Sequence, residues 1–154
     1  MYLISRKNLL AKNVKKLKKI LPRDFNFTPK TWLIPTEYSE LRSYINQKGE
    51  FNMIVKPEAM SQGKGIFITK KLEDISPGVH CVVQRYMKSP YLIDNYKFDL
   101  RIYVLVTSCD PLKIFVHREG LARFASEPYT HTENFENAYI HLTNYAINKN
   151  NDKF

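Results

Sequence analysis

The sequence predicts an α+β fold, a mostly antiparallel sheet with flanking helices, and three observations carry that prediction. From Phe51 onward the chain runs in short β-type stretches at 51–56, 65–70, 79–86, 98–107 and 112–118, separated by Gly, Pro or Asp. Ahead of them, Leu10, Val14, Leu17 and Leu21 recur at helical spacing in a lysine-rich segment. Between the two, Glu37 to about Gln47 reads as a second helix that ends near Gly49. With 154 residues, 44% of them hydrophobic and 13% aromatic, the chain is long enough for one folded domain with a core, or for part of a larger one.

Taken in order, Ser5 is the expected N-cap of a first helix that runs to about Leu21, where Pro22 stops it. Pro22, Pro29 and Pro35 punctuate the next segment, with Trp32 between them, and an ordered connector is expected there. Asp110-Pro111 marks a tight hairpin turn between the last two predicted strands. Within 97–107, KFDLRIYVLVT, alternation puts Phe98, Leu100, Ile102 and Val104 on an apolar side and Lys97, Asp99 and Arg101 on the other. The tail from Asn148 to Phe154 is polar and asparagine-rich, and no internal repeat or low-complexity tract occurs.

The formal charge of +9 is unevenly spread. Eight of the 24 bases and none of the 15 acids fall within residues 1–23, which leaves a nearly neutral body. The lysines of the first helix therefore have two readings, a solvated face or a docking surface for an acidic partner. A nearly neutral body without an aromatic-basic motif argues against nucleic-acid binding. Cys81 and Cys109 are too far apart in sequence for a zinc motif or a disulfide framework, which fits a reducing, cytosolic compartment. There is no apolar run of membrane-spanning length and no secretory signal. A mitochondrial presequence would favour arginine and many serines over lysine and the single Ser5.

Several residues have the chemistry of a nucleotide site. Lys56 ends the strand Ile54-Val55-Lys56, and Ser61-Gln62-Gly63-Lys64-Gly65 forms a loop whose glycines permit close approach of backbone amides to phosphate. The loop lacks Walker spacing, and a Gly-Lys-Gly hairpin is by itself most often only a hairpin. Gln84, at the end of Cys81-Val82-Val83, can offer an amide to an adenine edge. Arg101 and Arg123 can hold a phosphate or carboxylate through two parallel hydrogen bonds. Arg123 in a strand demands an anionic partner, with Glu127 or Glu119 as the structural candidates. His117, His131 and His141 have no metal-binding spacing, and no Gly-x-Ser-x-Gly elbow is present.

Four longer motifs add to this inventory: KPEAMSQGKGIF (56–67), VVQRYMKSPYLIDNYKFDLRIYVLVTSCDPLKIF (82–115), EGLARFASEPY (119–129) and HLTNYAINK (141–149). In this order they resemble the tubulin–tyrosine ligase-like family, and most of all its tubulin polyglutamylases. The resemblance runs from Ser5-Arg6-Lys7 onward. It implies an incomplete ATP-grasp fold, with 1–50 a basic helix and connector and 51–154 a partial nucleotide-binding region. It further implies ATP contacts from Lys56, Gln62, Gly63, Gln84, Arg85, Tyr86, Met87, Lys97, Phe98, Asp99, Thr143 and Asn144. Arg101 is then expected near the γ-phosphate, Arg123 and Tyr145 at the incoming glutamate, and Gln62 also near the protein substrate. Where the family usually has serine after that tyrosine, this chain has Ala146, so one expected glutamate hydrogen bond has no donor.

The implied reaction is ATP-dependent ligation of free glutamate to glutamate side chains of acidic tubulin tails through an acyl phosphate, with Arg101 and Arg123 as the catalytic residues. ATP and Mg2+ are the implied cofactors. The family's magnesium ligands are expected beyond Phe154, so no metal ligand is expected within this chain, and the isolated chain is expected to be inactive. A non-catalytic module that binds tubulin tails or nucleotide is the alternative. Microtubules are the implied partner and the cytoplasm and cytoskeleton the implied location, with cilium or basal body among the candidates. Neither nucleic-acid binding nor membrane insertion is expected.

Overall fold

The computed structural model describes residues 2–130 and 135–154, so His131 lies outside the described residues. The fold is mixed, with few helices, and every strand pairing is antiparallel. It divides into two compact units, one within Met1–Ser89 and Glu133–Glu136, the other within Pro90–Thr132 and Asn137–Phe154.

In the first unit, α1 (Tyr2–Ser5) and α2 (Lys7–Ile20) are followed by β1 (Thr31–Ile34), α3 (Tyr38–Lys48), β2 (Met53–Pro57), β3 (Phe67–Thr69) and β4 (Cys81–Arg85). Leu, Ala and Lys favour helix in α2, and Lys18 and Lys19 lie in its last turn, where the carbonyl end of the helix favours cations. The expected Ser5 cap is not formed. Ser5 closes α1, and Arg6 precedes α2 without a side-chain cap. The expected apolar stripe is likewise only partly buried: Val14 is covered, while Leu10, Leu17 and Leu21 stay exposed. By contrast, α3 lies within one residue of the expected helix, and Gly49, at φ 80° and ψ 171°, closes it in a positive-φ extended conformation open essentially to glycine alone.

The four-stranded sheet has the order β1-β4-β2-β3. Trp32, expected in a connector, is instead the fully buried centre of β1. It packs against Tyr44 of α3 and against Phe51, with ring centroids 5.2 and 5.7 Å away. Around it Ile34, Leu41, Met53, Val55, Ile75, Cys81 and Val83 complete the core. Strand alternation puts Met53 and Val55 of β2, and Cys81 and Val83 of β4, on this α3-facing side.

The second unit contains β5 (Leu92–Ile93), β6 (Tyr96–Arg101), β7 (Val104–Cys109), β8 (Leu112–Val116), β9 (Leu121–Phe124), α4 (Ala138–His141) and α5 (Tyr145–Asn148). The predicted strand 98–107 is two strands, β6 and β7, interrupted at Ile102–Tyr103. The apolar side expected to be packed is largely solvent-facing, since Leu100, Ile102 and Val104 are all more than half exposed. The break arises because β6 pairs with β9 while, among the described residues, β7 pairs only with β8, so the two segments join different sheets. The β7–β8 hairpin turns at Asp110-Pro111 as expected. Both cysteines are free, Cys81 buried and Cys109 exposed. Among the described residues no helix is long and apolar enough to cross a membrane.

Two substitutions test this packing. Trp32→Ala is expected to cost about 3–5 kcal/mol, as for a large buried aromatic, read by urea unfolding followed with far-UV circular dichroism. A Cβ on Gly120 would meet the backbone carbonyl oxygen of Arg101 at 2.6 Å. Gly120→Ala is therefore expected to destabilise the β6–β9 ladder by at least about 1 kcal/mol, with hydrogen exchange rising at Leu100 and Ala122.

Candidate functional site

The outward face of the first sheet carries the polar counterpart of the Trp32 core. Ile54 opposes Gln84 and Lys56 opposes Val82 across β2 and β4, so Lys56 and Gln84 share one face at a diagonal. The Lys56 Nζ donates to Gln84 Oε1 at 2.9 Å, and Gln84 Nε2 donates to Thr31 Oγ1 at 2.9 Å. Thr31 in turn donates to the Pro29 carbonyl. Both ends of the Gln84 amide are thereby engaged, which orients it across three strands. Burial pushes the Lys56 ammonium below the usual lysine range, and the nearby Lys7 lowers it further. A buried ammonium beside a second cation is poised to gain from an anion.

Lys7 carries no nucleotide-site expectation from sequence. Its Nζ donates to the carbonyls of Pro57 and Met60, both at 2.7 Å, tying α2 to the end of β2 and to the start of the glycine loop. The signal for it is weak, one lysine among eight bases, and only the fold singles it out. In the loop, Gln62, Gly63 and Gly65 have φ of 60°, 84° and 67°. Such left-handed residues allow successive peptide N–H groups to converge on an anion. A cavity of about 500 Å3 between α2 and the sheet is lined by Lys7, Lys15, Lys18, Lys19, Lys30, Lys56 and Gln84, with Leu10, Val14 and Val82 among its apolar walls. A second cavity of about 520 Å3 is lined by Asn52, Arg85, Tyr86 and Met87. The backbone N–H groups of Arg85 and Tyr86 are taken by the Lys30 and Asn52 carbonyls, while the Met87 side chain is exposed.

The remaining candidates lie in the second unit. Asp99 stands opposite Arg123 in the β6–β9 register, and the Asp99 carboxylate accepts from Arg123 Nε at 3.0 and 3.2 Å and also from Nη2. The structural partner of Arg123 is thus Asp99, not Glu127 or Glu119. Cross-strand register puts Asp99 directly opposite, whereas Glu127 pairs with Lys153. Burial alone would push the Asp99 carboxyl up, but hydrogen bonds from Arg123 and Thr143, with the charges of Arg123 and Arg101, hold it below the usual carboxylate range. The Asp99 hydrogen bond raises Arg123 in turn. Arg101, two residues along β6, is exposed.

Arg123, Thr143 and Tyr145 come together on a cavity of about 670 Å3, with Ser126 and Lys153 also on its wall. The Lys97 Nζ donates to the His141 carbonyl at 2.8 Å, and Phe98 packs on Phe124 at 5.7 Å, so both serve the frame of this unit. Asn144 precedes α5, and its carbonyl accepts from the Ile147 and Asn148 amides. A second residue missed from sequence organises this corner. Asn148 is fully buried. Its Nδ2 donates to the carbonyls of Leu142 and Asn144 at 2.8 and 3.1 Å. Its Oδ1 accepts from the Ser126 amide and hydroxyl at 2.8 and 2.7 Å. It thereby clamps the Thr143-Asn144 turn to the segment after β9. Among the described residues no group of three His, Cys, Asp or Glu side chains is arranged to hold a metal ion.

The whole of residues 1–154 matches the model of the tubulin-tyrosine ligase family. The chain belongs to that family. Its similar relatives include tubulin polyglutamylase TTLL13 of Mus musculus, 49% identical over 153 residues, which are 98% of this chain and 19% of that protein. Tubulin polyglutamylase TTLL6 of Homo sapiens is also 49% identical over 153 residues, 98% of this chain and 17% of that protein. A probable beta-tubulin polyglutamylase of Tetrahymena thermophila is 49% identical over 158 residues, all of this chain and 13% of that protein. The chain thus spans no more than about a fifth of the length of these relatives.

Two further expectations concern the polar clamps of this family member. Because the Asp99 pKa is lower in the folded chain than in the unfolded one, the Asp99–Arg123 pair contributes fully above the unfolded value of about 3.9. That contribution is lost as pH falls through the lower folded value. The stability gap between wild type and Asp99→Asn, on the order of 1 kcal/mol for a partly exposed pair, should therefore be present at pH 6 and shrink toward pH 2 in urea titrations. Asn148→Ala removes four hydrogen bonds of a buried amide and is expected to cost about 2–4 kcal/mol by the same measurement.

Proposed function

We propose that this chain carries nucleotide- and glutamate-binding parts of an ATP-dependent protein glutamate ligase of the tubulin polyglutamylase type, built on an ATP-grasp-like fold. The observation that carries this reading is the desolvated Lys56, bonded to Gln84 beside a left-handed glycine loop, on a chain about half identical to tubulin polyglutamylases. In this reading Lys56 and the amides around Gln62 and Gly63 hold the phosphates, helped by Lys7. Gln84, Arg85, Tyr86 and Met87 border the base, and Lys97, Phe98, Asp99, Thr143 and Asn144 complete the nucleotide contacts. Arg101 faces the γ-phosphate. Arg123 and Tyr145 receive the free glutamate, and Gln62 also contacts the acceptor protein.

The acceptor is a glutamate γ-carboxylate on an acidic tubulin tail. One carboxylate oxygen attacks the γ-phosphorus of ATP, ADP leaves, and an acyl phosphate forms. The amine of free glutamate then attacks the acyl carbon, phosphate departs, and the amine loses a proton as the amide forms. No side-chain nucleophile is required. The work of the protein is to position the two carboxylates and to neutralise charge with Arg101 and Arg123. Arg123 is held by Asp99, so the carboxylate of the incoming glutamate shares or displaces that partner. Lys56 and the glycine loop suit the phosphates, and among the described residues no three His, Cys, Asp or Glu side chains converge to hold a metal ion. Tubulin tails, microtubules and free glutamate are the partners in this reading, in a cytoskeletal setting. The alternative is a module that binds nucleotide or tails without ligation.

The test is binding of a fluorescent ATP analogue to the chain, with glutamate transfer to a tubulin-tail peptide followed by mass spectrometry. Lys56→Met is expected to weaken nucleotide binding by about tenfold or more, yet leave folding stability within about 1 kcal/mol, because it also removes a desolvated charge. No nucleotide binding by the wild type would overturn the reading. Nucleotide binding without transfer would favour the module.

A further inference from the structure

The charged stripe on the outer side of α2 lies mostly outside the site described above, and only Lys19, at its end, also borders the cavity between α2 and the sheet. Lys12, Lys16 and Lys19 are all exposed and recur at intervals of four and three residues, which puts them on one face of the helix. That face is opposite Val14, the residue α2 buries toward the body of its unit. The neighbouring cations are already engaged: Lys15 pairs with Glu37 at 2.8 Å, Lys18 donates to Asn26, and Lys7 to two carbonyls. Lys12, Lys16 and Lys19 have no hydrogen bond, ion pair or ring partner among the described residues. Residues 1–23 contain no acid to neutralise them, and Arg23 extends the same charge past the helix end. Three like charges within two helical turns repel one another, and no acidic side chain among the described residues pairs with them.

We propose that this stripe docks an extended, glutamate-rich acidic peptide. The spacing suits such a partner. Lys12 and Lys16 are about 6 Å apart along the helix axis, and alternate side chains on one side of an extended peptide repeat at about 6.6–6.8 Å. Successive same-side glutamates can therefore each meet a lysine, with Lys19 and Arg23 continuing the track. The charge is compact lysine ammonium with no aromatic ring between the three residues, which suits carboxylates and offers no stacking platform for bases. The inference rests on the ligase reading for the identity of the acidic partner, but not for the geometry of the stripe. Docking outside the reacting centre would hold the acceptor tail nearby through many weak contacts and would speed its capture.

The test is fluorescence anisotropy with a labelled oligoglutamate peptide titrated with the 154-residue chain, at low and at raised salt. Wild type is expected to bind the peptide with an affinity that falls as salt rises. The double variant Lys12→Glu, Lys16→Glu, which leaves the cavity-lining Lys19 in place, is expected to bind about tenfold or more weakly, with an unchanged circular dichroism spectrum and unchanged binding of the fluorescent ATP analogue. A control that reverses exposed lysines elsewhere, Lys48→Glu with Lys113→Glu, should stay within about twofold of wild type. If the control loses as much as the double variant, the attraction is unspecific and the stripe is no docking site. Equal or tighter binding of a single-stranded RNA of matched charge also overturns the proposal. Wild type that binds nucleotide but not peptide refutes the stripe and leaves the ligase reading intact. Wild type that binds neither removes both.

Discussion

Val83 and Gln84 are adjacent residues of one strand that face opposite ways, and most of the first unit depends on that alternation. Because the pleat has a period of two, any register that buries Val83 against Trp32 and Leu41 must turn Gln84 to the other face. The same register places Ile54 opposite Gln84, brings Lys56 within hydrogen-bond reach and puts Thr31 on the far side of the amide. The hydrophobic core thus positions the polar face. A shift of one residue in β4 would expose the core and bury the site together.

The second unit solves the same problem with less apolar cover. Its strands leave Leu100, Val104, Leu105 and Phe115 largely exposed, so polar contacts carry more of the geometry. Asp99 and Arg123 tie β6 to β9, and Asn148 ties the Thr143-Asn144 turn to Ser126. Each is a charge-assisted bond or a fully satisfied buried amide, the two kinds of polar contact that hold direction as well as distance. Arg123 serves twice in the ligase reading, as half of a cross-strand pair and as a carboxylate receptor. That double use gives a physical reason for an arginine there, since its planar fork can accommodate two carboxylates where a lysine would present a single point.

Much of this is legible in the sequence, and the failures share a cause. The α3 helix, the β7–β8 hairpin and the antiparallel texture arise from local signals, namely the period of the apolar residues, Gly49 and Asp110-Pro111. The misread elements are those whose state depends on a distant partner. Trp32 reads as part of a connector because Pro29 and Pro35 bracket a strand of only four residues, which becomes a strand by pairing with β4. The stretch 97–107 reads as one strand because its alternation continues across Ile102–Tyr103, although β6 and β7 join different sheets. Leu10 and Leu17 have the right period for burial, but Val14 alone reaches cover.

For the candidate site, residue type and order are enough to single out Lys56, Gln84, Asp99, Arg101 and Arg123, because lysine, arginine and amide at strand ends are readable one at a time. Family membership likewise comes from sequence, since motifs in order survive without coordinates. Tertiary structure alone decided which of those groups touch: Lys56 with Gln84, Asp99 with Arg123, Lys7 across the base of the glycine loop, and Asn148 beneath the Thr143 turn. It also decided which lysines of α2 are engaged and which stand free of partners among the described residues. Pairing is a property of register and packing between segments tens of residues apart, and no local period encodes it.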